Sequence, residues 1–180
     1  PLVYRDMVIQ ICDNGNHAAE RMPEGFTKDD FTSKTSSIMA FDCKTGKLKY
    51  QVDRTAGPAV SWNTPILVTW KEKTVLMCRN DRVLQGLDPE HGQVIWFVNG
   101  GFDRNFSLVY DNGVLYSAGL KQTDAAFSVD AQSTGDIRNK KIWNFQYEMG
   151  GGFSSPVVVN GIMYRYLGGG GGMPKGATEA

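Results

Sequence analysis

The chain has 180 residues, 41% of them hydrophobic and 21% charged, which is the composition of an ordinary globular domain with a real core. Lys plus Arg equals Asp plus Glu at 19 each, so net charge gives no reason to expect a nucleic acid or an anionic membrane surface as partner. No apolar run approaches the roughly 18 residues of a spanning helix, so no transmembrane segment is expected.

The first predicted unit covers about residues 1–53 and contains two hairpins separated by an insertion at 12–35. The chain starts inside a predicted strand without an initiator Met, so we expect it to be a piece of a longer protein. The insertion is polar and has little strand periodicity, which predicts a long surface loop. The second hairpin carries Asp42, then a turn with Gly46, then a strand with Tyr50.

Two further units follow, at about 64–98 and 107–146, and half of another at 155–167. Asn-Gly turns join the first two strands of the third and fourth units, because both central positions of such a hairpin need positive φ. Residues 168–180 are predicted to be a glycine-rich flexible tail. Its end, from Met173, is either the start of a further strand or an expression remnant.

Three markers repeat together along the chain. The turn glycines are 46 and 43 residues apart, the aromatics 46 and 47, and the aspartates 46 and 42. This period is typical of propeller blades, which take about 40 to 50 residues each. The markers are the aspartates Asp42, Asp88 and Asp130, the glycines Gly46, Gly92 and Gly135, and the aromatics Tyr50, Trp96 and Trp143.

We therefore predict an all-β chain, a partial β-propeller built of four-stranded antiparallel blades. It has about three and a half blades, and the remaining blades of a longer chain would be its nearest partners. A β-sandwich with the same number of strands is the alternative. It does not require an aromatic residue at a fixed phase of the repeat.

The motif resembles the repeat of the pyrroloquinoline quinone (PQQ)-type propellers, whose signature is Ala-x-Asp-x-x-Thr-Gly-Lys-x-x-Trp. Ala40 to Lys47 followed by Tyr50 matches it closely, and Leu87 to Trp96 matches with His91 in place of Thr. The third copy keeps Asp130, Thr134 and Gly135, with extra residues before its aromatic. In this family the aromatic is expected to dock on the turn of the neighbouring blade, so the motif residues are read as structural and no catalytic residue is assigned.

The resemblance leaves two functions open. Some members are eight-bladed quinoprotein dehydrogenases that hold PQQ and calcium and oxidise alcohols or sugars. Others, including the outer-membrane assembly lipoprotein, keep the propeller without the cofactor. The vicinal Cys-Cys pair common in the dehydrogenases is absent from this sequence, which favours a non-catalytic exported scaffold or binding module. An eight-bladed parent and a periplasmic or extracellular location are expectations from the resemblance alone, as are PQQ and calcium.

Any binding site is expected on the face formed by the connections between blades and between the second and third strands of a blade. Arginine, asparagine and tryptophan side chains there suit a small anionic or sugar-like ligand, or another protein. Solvated loop residues without a function are the alternative reading. The three separate cysteines and two histidines predict no metal site, and the cysteines are either free or form one disulfide with one left over. The ligand-face candidates are Arg54, Trp62, Asn63, Arg79, Arg104 and Asn105.

Overall fold

A computed structural model describes residues 1–13, 36–54, 61–80, 82–100, 106–118, 124–145, 154–167 and 177–179. Most of the predicted insertion, residues 14–35, lies outside these ranges, as do Arg104 and Asn105. Within the described ranges the regular structure is strands, apart from a short 3-10 turn at Arg138–Lys140.

Four antiparallel strands form the first sheet, the third sheet and the main part of the second sheet, which also gains a fifth, short strand. The first sheet contains β1 (Leu2–Tyr4), β2 (Met7–Cys12), β3 (Ser37–Asp42) and β4 (Leu48–Asp53). The second contains β5 (Ile66–Trp70), β6 (Lys73–Arg79), β7 (Val83–Leu87) and β8 (Val94–Asn99). The third contains β9 (Val109–Asp111), β10 (Val114–Ser117), β11 (Asp124–Ser128) and β13 (Lys141–Phe145).

Four further strands complete the topology: one joins the second sheet, and the other three form a fourth sheet. β12 (Gly135–Asp136) leaves the third unit and adds in parallel to β8 at the edge of the second sheet. β16 (Ala177–Glu179) lies within the predicted glycine-rich tail and pairs with β15 (Ile162–Leu167), which follows β14 (Val157–Val159). Pairing there satisfies backbone groups along one edge of β15, which is a physical reason for strand structure in part of the tail.

The sheets stack in series. Met7, Ile9 and Ile38 of the first sheet pack with Leu76 and Leu87 on one face of the second. The other face of the second sheet packs on the third through a larger cluster that includes Val75, Met77, Trp96, Leu115 and Phe127. Because the middle sheet is buried on both faces, the arrangement is that of successive blades and not of a two-layer sandwich. The fold is an all-β partial propeller of four-stranded antiparallel blades, as predicted.

A local irregularity recurs in every complete blade. The pairing of the third and fourth strands shifts register at Ala40/Phe41 and Gly86/Leu87, immediately before the motif aspartates, and at Ala126/Phe127, three residues before Asp130. A bulge of this kind adds one residue to a strand and re-aims the side chains that follow it. The outer hairpins are therefore repeats of one structural unit, and each contains a register shift.

Candidate functional site

The motif aspartates organise their own turns. Oδ1 of Asp42 accepts hydrogen bonds from the Lys44 amide at 3.0 Å and from the amide and hydroxyl of Thr45, both at 2.8 Å. The Thr45 hydroxyl, with these amides, lowers the pKa of Asp42 below its ordinary value. Asp88 accepts from the Glu90 amide and contacts Nδ1 of His91 at 2.7 Å. His91 thus takes the place of the threonine hydroxyl in the second copy.

The third turn differs from the alignment that the sequence suggests. The hydroxyl that bonds Asp130 belongs to Ser133, at 2.9 Å, whereas Thr134 donates to the carbonyl of Ile95 in the neighbouring blade. The matching of Thr134 with the motif threonine was therefore wrong. One extra residue between the aspartate and Gly135 moves the equivalent position to Ser133, and the longer turn reaches β8.

The repeated aromatics join blades to one another. The phenol of Tyr50 donates to the carbonyl of Pro89 at 3.0 Å, in the outer turn of the next blade. A Cβ on Gly92 of that turn would come within 2.8 Å of the Tyr50 ring, so the glycine is needed for close approach. Burial raises the pKa of Tyr50 to about 12, with a smaller contribution from the charge of Asp88.

Trp96, at the next junction, is fully buried and packs in the core cluster shared by the second and third sheets. Gly135 of the following blade pairs directly with it across β12 and β8. Within its own sheet the indole lies over Gly86, where an added Cβ would come within 2.2 Å of the ring. The equivalent partners in the other two blades are alanines, Ala40 and Ala126.

Two of the predicted ligand-face arginines lie inside the protein. The Arg54 side chain is fully buried and donates from Nη1 to both carboxylate oxygens of Asp13, each at 2.9 Å. Its Nη2 lies 3.6 Å from Sγ of Cys78, in the second blade. Burial raises the pKa of the Cys78 thiol to about 11. Arg54 thus links the first two blades.

Arg79 links the second blade to the third in the same way. It is completely buried and donates to the carbonyls of Phe106, at 2.6 and 3.0 Å, and Ala118, at 2.6 Å. It also donates to the Ser117 hydroxyl at 2.7 Å. A buried guanidinium needs such partners to offset its desolvation. Both arginines are therefore used in holding blades together.

The remaining described candidates lie near the same face but do not converge. Trp62 is 65% exposed, and the Asn63 side-chain amide donates to the carbonyl of Arg79 at 3.3 Å. Arg104 and Asn105 fall outside the described residues. The structure thus brings Asn63 to Arg79, and gives no cluster of the four described candidates around a common cavity.

A cavity of about 440 Å³ lies between the third sheet and the β14–β15 hairpin. Trp143 and Phe145 of β13 line one side, and Ile162 and Met163 line the other. The wall also contains Asp124 and Arg165, whose side chains are almost completely buried and form an ion pair. The site combines apolar surface with a fixed charged pair.

Arg165 also stacks against Phe106, with its guanidinium carbon 5.1 Å from the ring centre, while Arg79 lies 5.9 Å from the same ring. Sequence reasoning missed Asp124, Phe106 and Arg165. The available signal was a charged residue at an inward position of an alternating apolar strand, since Arg165 shares a face with the half-buried Met163. Such a residue is seldom buried without a partner of opposite charge.

Two features are absent from the part of the chain that the structure describes. No group of three or more His, Cys, Asp or Glu side chains is placed to hold a metal ion there. No helix in those ranges has the length and apolar character needed to cross a membrane. All three cysteines, Cys12, Cys43 and Cys78, are free thiols.

Comparisons with known proteins concern the fold. No family model and no curated protein matches the sequence. The computationally designed Ika8 protein is similar over 91% of this chain and 40% of its own, with 11% identity and a TM-score of 0.55. The designed Ika4 protein is similar over 81% of both chains, with 12% identity and a TM-score of 0.52. BamB from Moraxella catarrhalis covers 72% of this chain and 38% of its own, with 15% identity and a TM-score of 0.43.

Proposed function

We propose that this chain is a PQQ-like β-propeller repeat protein that acts as a non-catalytic exported scaffold, and that it binds partner proteins at the cavity beside Trp143. The family assignment is supported by the three motif turns, by the docking of Tyr50 on the next blade and by the burial of Trp96 between the second and third blades. The binding role is supported mainly by the open cavity, which is lined by large apolar side chains. Arg54 and Arg79, in contrast, are bound to groups inside the protein and do not face a ligand.

The cavity suits an apolar side chain of an extended peptide. β13 is the outer strand of its sheet, so a peptide running along it gains backbone hydrogen bonds while one side chain enters the cavity. Phe145 is 49% exposed at the rim and offers contact area without a large ordering cost. The Asp124–Arg165 pair in the wall favours a polar group beside the apolar side chain.

The test is selection from a displayed library of random extended peptides. We expect enrichment of peptides with a large apolar residue flanked by polar residues, and at least tenfold weaker binding of those peptides to Phe145→Asp. Ile142→Asp is the matched control, because Ile142 is 54% exposed on the same strand and does not line the cavity. Equal binding by both variants, or no enrichment at all, would rule out this site.

The dehydrogenase hypothesis is tested separately by titrating the chain with PQQ and calcium. We expect no saturable quenching of tryptophan fluorescence, and no dye-linked oxidation of ethanol or glucose. Saturable quenching with calcium-dependent oxidation would overturn the non-catalytic proposal, whatever the peptide selection shows.

A further inference from the structure

The last hairpin of the chain presents an apolar face to solvent. The exposed apolar residues occupy alternate positions along β14 and β15. The register pairs Val157 with Tyr164 and Val159 with Ile162, so these side chains share one face of the hairpin. Their exposure is between 43% and 61%. The face consists of Val157, Val159, Ile162, Tyr164 and Tyr166.

This face is equivalent to one that is buried elsewhere in the same chain. The turn residues with positive φ, Lys71 and Asn160, mark the same position in the second and fourth units. Counted from those residues, Val157 and Tyr164 fall on the positions of Val68 and Val75. Val68 and Val75 are buried in the core between the second and third sheets. We call the face of a sheet that packs on the next blade in chain order its forward face, and the opposite face its backward face. The exposed face of the last hairpin is therefore a forward face.

The first sheet, at the other end of the chain, has an exposed backward face. Val3 pairs with Val8, Val8 with Phe41, and Phe41 with Leu48, so these side chains share the face of the first sheet that points away from the second. Val3 is 65% exposed and Leu48 52%. Phe41 precedes its motif aspartate as Leu87 does, and Leu87 is buried between the first and second sheets.

We propose that two copies of this chain associate head to tail, with the β14–β15 face of one copy packed on the outward face of the first sheet of the other. The two junctions between the first three sheets each join a forward face to a backward face, and a second copy of this chain carries an exposed face of both kinds. Burial of contiguous apolar surface drives the association. The contact is heterologous, so it is repeated either in a closed pair or in a longer series. It does not rest on the peptide-binding role, although Ile162 of this face also lines the peptide cavity.

Light scattering after size exclusion tests the contact on the 180-residue chain. Wild type is expected at twice the 19.9 kDa chain mass or a higher multiple. Tyr164→Glu removes one half of the contact and Val3→Glu the other, so each variant alone is expected at the single mass. Both sites are exposed, which spares the core. Ile142→Glu is the control, because Ile142 is equally exposed on β13 and belongs to neither face, and it is expected to behave as wild type.

Mixing the two variants gives the decisive result. Tyr164→Glu keeps an intact first sheet and Val3→Glu keeps an intact last hairpin, so an equimolar mixture regains one contact and forms a species of twice the chain mass. If either variant fails to fold by circular dichroism, Val157→Glu or Leu48→Glu replaces it on the same face. A monomeric wild type overturns the proposal and leaves further blades or an unrelated protein as occupants. So does a single variant that still dimerises, which indicates contact between like faces, or a mixture that stays monomeric.

Discussion

The second and third junctions between blades are built from equivalent parts and are closed in different ways. Trp96, at the junction of the second and third blades, is fully buried in the core cluster that the two blades share, and the Thr134–Gly135 turn of the next blade bonds the backbone of its strand. Trp143, at the following junction, is half-buried beside a cavity of about 440 Å³. The Asp124–Arg165 ion pair holds that junction instead. The aromatic is therefore fully buried at the junction where the outer turn of the next blade bonds its strand, and half-buried at the junction that contains the cavity.

Replacing each tryptophan by alanine tests this difference most directly. Trp96→Ala should lower the free energy of unfolding by about 3 to 5 kcal/mol, because it leaves a cavity in a packed core. Trp143→Ala should cost less than half as much, since its environment is already open. Urea unfolding followed by circular dichroism measures both. Equal losses would show that the two junctions are sealed alike.

Asp124→Ala tests whether the ion pair carries the third junction. Removing the carboxylate leaves the Arg165 charge buried without its counter-ion, which should cost about 3 kcal/mol. Asp136→Ala is the control, because the Asp136–Arg138 pair is exposed and should contribute less than about 1 kcal/mol. The same unfolding assay applies. If Asp124→Ala lowers the free energy of unfolding less than Trp143→Ala does, the aromatic contributes more to this junction than the ion pair.

The first junction offers a comparison between two glycines with the same backbone. Gly46 and Gly92 have φ of +68° and +72°, but only at Gly92 would an added Cβ contact Tyr50 and Val52 of the preceding blade. Gly46→Ala should cost about 1 kcal/mol for the positive φ alone. Gly92→Ala should cost about 2 to 3 kcal/mol, because overpacking is added to the same strain. Thermal and urea unfolding of the two variants isolate the contribution of docking.

Tyr50→Phe should have the smallest effect, about 1 kcal/mol at neutral pH, from loss of the hydrogen bond to Pro89. Its signature is in the pH dependence. The pKa of Tyr50 is raised to about 12, so the folded state disfavours its phenolate relative to the unfolded chain. This contribution is complete below about pH 10 and is lost as the pH rises toward 12. Wild type should therefore lose more stability than Tyr50→Phe over that range, and parallel curves would contradict the docked geometry.

The sequence was sufficient for the outer hairpins, because their residues act locally. Asp42 bonds amides two and three residues away, and Asp88 bonds the amide two residues away and the His91 ring three residues away. The third turn was misaligned because one added residue moved the bonding hydroxyl from Thr134 to Ser133. Such a shift changes the structure while leaving the composition of the motif nearly intact.

The inner side of the blades was less predictable, because its contacts join distant segments. Arg79 was assigned to a binding face from its position in a loop-proximal stretch. Its burial depends on the carbonyls of Phe106 and Ala118, 27 and 39 residues away, which no local pattern specifies. The Asp124–Arg165 pair spans 41 residues in the same way. Periodicity predicts which residues repeat, and these arginines do not.

That lack of repetition has a consequence for the order of the units. The three linking arginines come from different places in the repeat: Arg54 directly follows β4, Arg79 ends β6, and Arg165 lies within β15. Each guanidinium contacts a particular group of a neighbouring blade: Cys78 for Arg54, the Phe106 carbonyl for Arg79 and Asp124 for Arg165. Exchanging the outer hairpins between units should be tolerated, whereas exchanging whole units would separate Arg79 from the Phe106 and Ala118 carbonyls and Arg165 from Asp124. The outer hairpins of the units are nearly interchangeable, and the buried arginines therefore determine the order in which the units pack.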